Sequence, residues 1–325
     1  MLKVKLWGVR GSLPTPIEPE FLVDRFKKVL EEFTHSEHMG DKNIQKFLDS
    51  IPRYRLQGFG GHTSCVQVMT DKQQVIIDAG SGIRALGQQL LQGPCGLGKG
   101  EIHILFTHFH WDHIIGLPFF APLFIPGNKI HVYAVQHDLE DAFRTVFRKP
   151  FFPVPYEQLG AEIIYHRIEP RKPQQLGDIT YTAYQLDHPD PCWGFKIEHG
   201  KKTFSYCTDT EGTRVSRKEM GDDLPLYQNL DLLVFDAQYT VLELTEKINW
   251  GHSTAIIGLD LAMRESIKKV LFVHHDPAES DEKIAIAEKQ AREYYNQVLE
   301  AAKETKTKIN EVEWSFAHEG MIISI

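Results

Sequence analysis

The chain is poor in cysteine, has no long apolar run and carries no excess of basic residues. Its four cysteines are widely scattered and form no CxxC pair, so we interpret them as reduced thiols. No apolar run approaches the roughly 20 residues that cross a bilayer, so we expect no membrane partner. The net charge of −8 argues against an extended nucleic-acid footprint, although a small cationic pocket is compatible with it.

The N-terminal segment Met1–Trp7 alternates like a strand and lacks the apolar core of a signal peptide. Together with the reduced cysteines, this segment leads us to expect a cytoplasmic protein. A chain of 325 residues could hold one large domain or two small ones. We find neither a linker nor an internal repeat, so we expect a single domain over residues 1–325.

Apolar strand patterns recur along the chain in two halves, and helices follow the strands in each half. We predict helices over residues 83–91 and 255–263, and a long helix that Ser280 caps and that runs to about Lys303. Strands are predicted over residues 2–7, 64–69, 74–78, 102–106, 129–134, 178–186, 193–198, 202–207, 231–236, 269–273 and 312–317.

An inserted segment at about 17–57 interrupts the opening hairpin. Phe21, Phe26 and Leu30 in this segment predict an amphipathic helix. The helix could pack near the mouth of a site or against a partner subunit, or it could be a surface decoration. Because it offers apolar helix surface, we expect a homodimer.

Three histidines and one aspartate follow the predicted strand 102–106 within six residues: His108, His110, Asp112 and His113. Neither a helix nor a strand places positions i, i+2, i+4 and i+5 on one face, so these side chains require an irregular turn. Imidazole nitrogens and carboxylate oxygens are ligands for zinc and similar metals. Four such groups are too many for one catalytic metal with an open position, which favours two metals.

The same stretch resembles the signature His-x-His-x-Asp-His of the metallo-β-lactamase superfamily, which also follows a strand. The resemblance implies an α/β fold, a four-layer αβ/βα sandwich with one metal site between its halves. It also implies three later ligands, and the chain has His188, Asp209 and His274 in that order, each after a predicted strand.

The roles of the ligands follow from the resemblance. His274 directly follows its strand, as the family ligand does, and we prefer it to the neighbouring His275. Asp78 would orient the metal loop from behind the ligands. One ion would be held by His108, His110 and His188, the second by Asp112, His113 and His274, and both by the bridging Asp209.

We expect two divalent ions, with zinc as the first choice and manganese or iron as alternatives. Such a pair would lower the pKa of a shared water from about 15.7 toward about 7, and the resulting hydroxide would attack a phosphodiester. Trp250–Thr254 resembles the His-Ser-Thr loop of the tRNase Z branch, so we expect His252, with Asp112, to act in catalysis. The alternative for this loop is that Ser253 caps a helix with His252 merely beside it.

The tRNase Z branch carries a long substrate arm between the third histidine motif and the bridging aspartate. Here His188 and Asp209 are 21 positions apart, which leaves room for a turn and two strands only. We therefore favour a phosphodiesterase that acts on a small cyclic nucleotide or cyclic phosphate ester. The alternatives are a tRNA 3′-end endonuclease, a lactone or thioester hydrolase, and a non-catalytic metal-binding sensor domain.

Overall fold

The structure, a computed structural model, describes residues 1–36 and 43–325, and fourteen strands in these ranges form two seven-stranded sheets. In chain order the strands are β1 (Lys3–Gly8), β2 (Cys65–Met69), β3 (Gln74–Ile77), β4 (Glu101–Leu105), β5 (Lys129–Ala134), β6 (Glu162–Arg167), β7 (Gln174–Leu176), β8 (Ile179–Gln185), β9 (Trp193–His199), β10 (Lys202–Cys207), β11 (Leu232–Asp236), β12 (Lys269–Val273), β13 (Glu313–Phe316) and β14 (Ile322–Ser324).

Helices cover the outer faces of the two sheets. They are α1 (Pro19–His35), α2 (Ile44–Ser50), α3 (Arg53–Leu56), α4 (Ile83–Leu90), α5 (Trp111–Ile114), α6 (Leu139–Val146), α7 (Arg217–Met220), α8 (Val241–Glu246), α9 (Ala255–Glu265) and α10 (Asp281–Thr305), with short 3₁₀ turns at Pro94–Leu97, Leu117–Phe119, Ala121–Phe124, Tyr156–Gln158 and Gly221–Tyr227. None of the described helices is long and apolar enough to cross a membrane.

Both sheets are mixed, with an antiparallel and a parallel part. The first has the order β14-β1-β2-β3-β4-β5-β6, and its strands run parallel from β3 to β6. The second has the order β13-β12-β11-β10-β9-β8-β7, and its strands run parallel from β10 to β13. The parallel strands of each sheet therefore end at a common edge, where their carboxyl ends place neighbouring loops together.

Alternation along the strands divides the core into three apolar layers. Val234 of β11 faces the first sheet, whereas Leu233 and Phe235 face α9 and α10 on the other side. In the first sheet, Leu105 faces inward and Ile104 packs toward α4 and α6. Each sheet buries its inner face against the other sheet and its outer face against helices. The order of layers is therefore helix, sheet, sheet and helix. The predicted αβ/βα sandwich is confirmed.

All eleven predicted strands are present within one residue of their predicted ends, and β6, β7 and β14 are additional. The predicted helices correspond to α4, α9 and α10, and the Ser280 hydroxyl accepts the Lys283 N–H at the start of α10. The alternative that Ser253 caps a helix is wrong. The residue that caps α9 is Thr254, whose side chain accepts the Ile257 N–H.

The described part of the inserted segment folds into α1, α2 and α3, and α1 lies where an amphipathic helix is predicted; residues 37–42 lie outside the described ranges. Arg25 anchors α1, since its buried guanidinium lies 2.6 Å from the Asp281 carboxylate at the start of α10. Phe33 of α1 packs on Phe47 of α2. Phe26 and Leu30 stay exposed, so the apolar stripe of α1 has no partner within the described chain.

Candidate metal centre

The loops after β3, β4, β8, β10, β11 and β12 meet at the carboxyl-terminal edge of both sheets, and all seven predicted ligand residues lie there. Their ligand atoms fall into two groups, each compact enough to surround one ion. The first group is His108, His110 and His188, and the second is Asp112, His113, Asp209 and His274. Each group combines residues from both sheets, so the site forms only when the sheets pack.

The first group consists of three imidazoles in mutual edge contact. The His110 Nδ1 and His188 Nε2 atoms lie 3.3 Å apart, and the His108 and His110 ring centroids are 4.4 Å apart. His188 Nδ1 donates to the Gly251 carbonyl at 3.2 Å, which leaves the Nε2 lone pair directed at the group. Burial lowers the pKa of His108 well below its ordinary value, so this ring is neutral, as a metal ligand must be.

The second group places carboxylates between imidazoles. Asp112 Oδ2 lies 3.2 Å from His113 Nε2 and 3.1 Å from His274 Nε2. Asp209 Oδ2 lies 3.1 Å and 3.4 Å from the same two nitrogens. The other Asp209 oxygen, Oδ1, lies 3.8 Å from His108 Nε2. Asp209 is therefore the residue that faces both groups.

The polar atoms of this site lack the hydrogen bonds that buried groups normally make. His108 Nε2, His113 Nε2 and Asp209 Oδ2 are fully buried and have no hydrogen-bond partner, which is rare in folded proteins. Burial alone would raise the pKa of Asp209, but His274 and His113 hold that pKa well below its ordinary value, so the carboxylate is charged. Unpaired nitrogens around buried carboxylates fit divalent metal ions.

Two side chains behind the ligands fix the tautomers of the second group. His113 Nδ1 donates to Asp78 Oδ2 at 2.8 Å, and Asp78 is held in turn by the Thr107 N–H at 2.9 Å. His274 Nδ1 donates to Gln238 Oε1 at 2.8 Å. Both rings therefore turn Nε2 toward the carboxylates, the arrangement that protein metal sites use to orient histidine ligands. The expectation that Asp78 orients the metal loop agrees with these contacts.

The loop after β1 closes the site from the side. The Ser12 N–H donates to Asp112 Oδ2 at 2.8 Å and so holds that carboxylate in place. Only glycine fits at position 11, because a Cβ there would lie 2.4 Å from His274 Nδ1. His275 points elsewhere: its Nε2 donates to the Ala317 carbonyl, and burial lowers its pKa to about 3. The structure thus places His274, not His275, in the ligand group.

His252 lies beside the ligands without belonging to either group of the predicted set. Its ring stacks on His274 at 4.8 Å and lies 6.0 Å from the His188 ring. Its Nδ1 donates to Asp236 Oδ2 at 2.9 Å. Asp236 and His252 also form a compact cluster with His274, so these two residues share the site.

Asp236, Gln238 and Asp190 are site residues that the sequence analysis did not identify. Asp236 and Gln238 contact His252 and His274, and Asp190 Oδ2 lies 2.8 Å from His110 Nε2. Of these three residues, only Asp236 could have been recognised from the sequence, because it is a carboxylate at the end of a strand of buried apolar residues.

Comparisons with known proteins agree with this geometry. Residues 73–275, more than half of the chain, match the Beta-lactamase superfamily domain. Ribonuclease Z of Staphylococcus carnosus is 25% identical over 248 residues, which cover 72% of this chain and 75% of that protein.

Two solved structures share the fold over the whole chain. The metallo-beta-lactamase fold protein YhfI of Bacillus subtilis aligns with a TM-score of 0.61 at 16% identity, covering 99% of this chain and 98% of that one. A diphosphatase from the PhnP family aligns with a TM-score of 0.59 at 17% identity, covering 100% and 98%.

The fold and the site define a metal-dependent hydrolase. The chain belongs to the metallo-β-lactamase superfamily, and its ribonuclease Z relatives place it in the tRNase Z-like branch.

Proposed function

We propose that this hydrolase is a dinuclear zinc phosphodiesterase that acts on a small cyclic nucleotide or cyclic phosphate ester. The observation that carries the proposal is Asp209, whose two oxygens face different ligand groups. A carboxylate shared in this way could serve one divalent ion in each ligand group. When bound, two divalent ions supply Lewis-acid charge for a phosphate and lower the pKa of a water between them.

The remaining groups of the site serve the leaving group and the alignment of the ligands. Asp236 engages His252 through Nδ1, so the proton that general acid catalysis needs is carried on Nε2. Asp112 is held by the Ser12 N–H and faces His113 and His274, so it would act as both ligand and catalytic carboxylate. Histidine and aspartate ligands favour zinc, and they also accept manganese or iron.

The choice of a small substrate depends on the segment between His188 and Asp209. Apart from short connections, β9 and β10 fill this segment as an antiparallel hairpin, so it holds no arm that could grip a large RNA. The net charge of −8 also disfavours a long nucleic-acid contact. A tRNA 3′-end endonuclease is the second candidate, favoured by the name of the ribonuclease Z relatives.

Metal content and substrate preference test the proposal. Protein purified without chelator and loaded with excess zinc should contain about two equivalents by elemental analysis. It should hydrolyse bis(p-nitrophenyl) phosphate and cyclic mononucleotides faster than precursor tRNA, lactones or thioesters. Asp209→Ala should lose the second equivalent and nearly all turnover, because its carboxylate serves both groups.

Asp178→Ala is the matched control, since Asp178 is an aspartate that pairs with His199 at the far end of the second sheet. This variant should keep both metals and full turnover. A stoichiometry that stays at one or below in excess zinc contradicts the dinuclear site. Faster cleavage of precursor tRNA than of any cyclic nucleotide would instead select the second candidate.

A further inference from the structure

Among the predicted ligands, the two that reach the surface of the described chain are His110 and His188. The His110 side chain is 43% exposed and His188 is partly exposed, whereas the other predicted ligands are buried. A substrate must therefore approach past His110 and His188, and the side chains next to this pair are the first that its non-reacting part meets.

Two exposed indoles are connected to these histidines through the backbone. Trp111 directly follows His110 and is 59% exposed. Trp250 is 63% exposed and precedes Gly251, whose carbonyl accepts the Nδ1–H of His188 at 3.2 Å. Each indole is thus tied through the backbone to one of the two solvent-facing histidines. Large aromatic side chains left in water at the mouth of a site are typical of ligand recognition.

We propose that Trp111 and Trp250 form a base-stacking subsite, so that the substrate carries a nucleobase next to the scissile phosphodiester. This inference rests on the proposed function and narrows it from cyclic phosphate esters in general to nucleotides. An indole face stacks on any base, because every base has a π-face, and it makes no demand on the base's hydrogen-bonding edge. A cyclic sugar phosphate without a base offers no aromatic face to either indole.

The test uses two probes that differ only in the base: adenosine 2′,3′-cyclic phosphate and 1-O-methylribose 2,3-cyclic phosphate. The zinc-loaded enzyme should show a KM for the nucleotide lower by roughly 5- to 100-fold, the range expected for one stacked base. Trp111→Ala and Trp250→Ala should each raise the nucleotide KM several-fold and leave the KM of the base-free probe unchanged. Trp111→Phe should retain most of the preference, since phenylalanine still stacks.

Leu97→Ala is the control for truncating an exposed apolar side chain. Leu97 is 75% exposed and precedes the amino end of β4, opposite to the metal centre, so its removal should change neither KM. Equal KM values for the two probes in the wild-type enzyme overturn the base subsite while leaving phosphodiester hydrolysis intact. Equal KM changes for both probes in the tryptophan variants overturn it as well.

Binding without turnover separates failure of the subsite from failure of the proposed function. Adenosine 5′-monophosphate should quench the tryptophan fluorescence of the wild-type protein, and the Trp111→Ala/Trp250→Ala variant should lose that quenching. If neither cyclic probe is hydrolysed, the proposed function fails, and the quenching experiment alone decides the subsite. If a short oligoadenylate bound more tightly than the mononucleotide, the base that stacks on the indoles would belong to the end of an RNA chain.

Discussion

Asp236 connects the proposed general acid His252 to the proposed metal ligand Asp209. Its buried carboxylate accepts the backbone N–H groups of Asp209, Gln238 and Ser253, at 3.0, 3.1 and 3.0 Å, and the Nδ1–H of His252. Four hydrogen bonds satisfy a buried carboxylate that would otherwise be costly to desolvate. One side chain therefore fixes the positions of both Asp209, the proposed bridging ligand, and His252, the proposed acid.

Removal of the His252 imidazole should leave metal content unchanged and reduce turnover. The expected loss for His252→Ala is roughly 10²–10⁴-fold with a ribose alkoxide as the leaving group, the range for a missing general acid. The loss should shrink with p-nitrophenolate, which departs as a stable anion. Steady-state kinetics on both substrates, with elemental analysis of each preparation, measures this difference.

His199→Ala is the control for loss of a histidine, because His199 lies on β9 at the end remote from the metal centre. It should behave as wild type on both substrates. An equal loss on both substrates for His252→Ala would mean that the imidazole binds the phosphate instead of protonating the leaving group. Loss of zinc from the variant would make His252 a ligand.

The positions of the predicted ligands along the chain could be read from the sequence, whereas the side chains that hydrogen-bond to them could not. His188 and Asp209 follow recognisable strands, so a family pattern locates them. Gln238 has no such signal, because its role depends on reaching His274, 36 residues further along the chain. This contact forms because β11 and β12 pair side by side, and that pairing is not encoded by residue types and spacing near either residue.

At the scale of elements, the turn before α9 shows how closely the backbone approaches a ligand. Gly251 has φ of +86°, and a Cβ at this position would lie 1.9 Å from His188 Nδ1. The left-handed conformation and the absent side chain are both required here. The loop can then place its carbonyl against His188 and His252 against His274 at the same time.

Gly251→Ala should therefore displace His188 and weaken the first ligand group. We expect zinc content to fall toward one equivalent and turnover to fall by roughly 10- to 100-fold, as when the support of a ligand is lost. Gly200→Ala is a matched control: Gly200 also has a positive φ, of +61°, but nothing lies within 4 Å of its Cβ position. If the two variants changed the zinc content equally, backbone strain at a positive φ would explain the loss, and the close approach of Gly251 to His188 would not.

The strands that the sequence analysis missed all lie at the edges of the sheets. β7 and β14 have three residues each, too few for an alternating pattern, and β6 carries a mixed sequence at the edge of the first sheet. An edge strand pairs with one neighbour only, so pairing rather than side-chain pattern decides whether it forms. The central strands, which are rich in buried apolar residues, were predicted almost to the residue.

At the scale of the whole molecule, α1 presents a surface suited to a second copy of the chain. Its exposed groove is lined by Val23, Phe26 and Leu30, flanked by Lys27 and Glu31. In a two-fold antiparallel pair of α1 helices, Lys27 of each chain would face Glu31 of the other. Such a pair would therefore bring opposite charges together on either side of the apolar stripe.

We expect a homodimer through this helix. Light scattering at micromolar concentration should give about twice the chain mass of 37.3 kDa. Phe26→Glu/Leu30→Glu should give the monomer, because it places charge in the apolar stripe. Lys27→Glu should weaken the dimer, and Lys27→Glu/Glu31→Lys should restore it. A wild-type mass of one chain, or a dimer indifferent to these changes, contradicts the interface.

The two sheets contribute different ligands to the same centre. His108, His110, Asp112 and His113 follow β4 of the first sheet, whereas His188, Asp209 and His274 follow strands of the second. Bound ions would therefore act as cross-links between the two halves, and neither half could unfold without releasing them. Stability becomes a function of free metal: ligand at 100 times its Kd adds about 2.7 kcal/mol to the free energy of unfolding. With zinc as the proposed ion, a cell that runs short of it would lose this protein to unfolding and proteolysis as well as to inactivity.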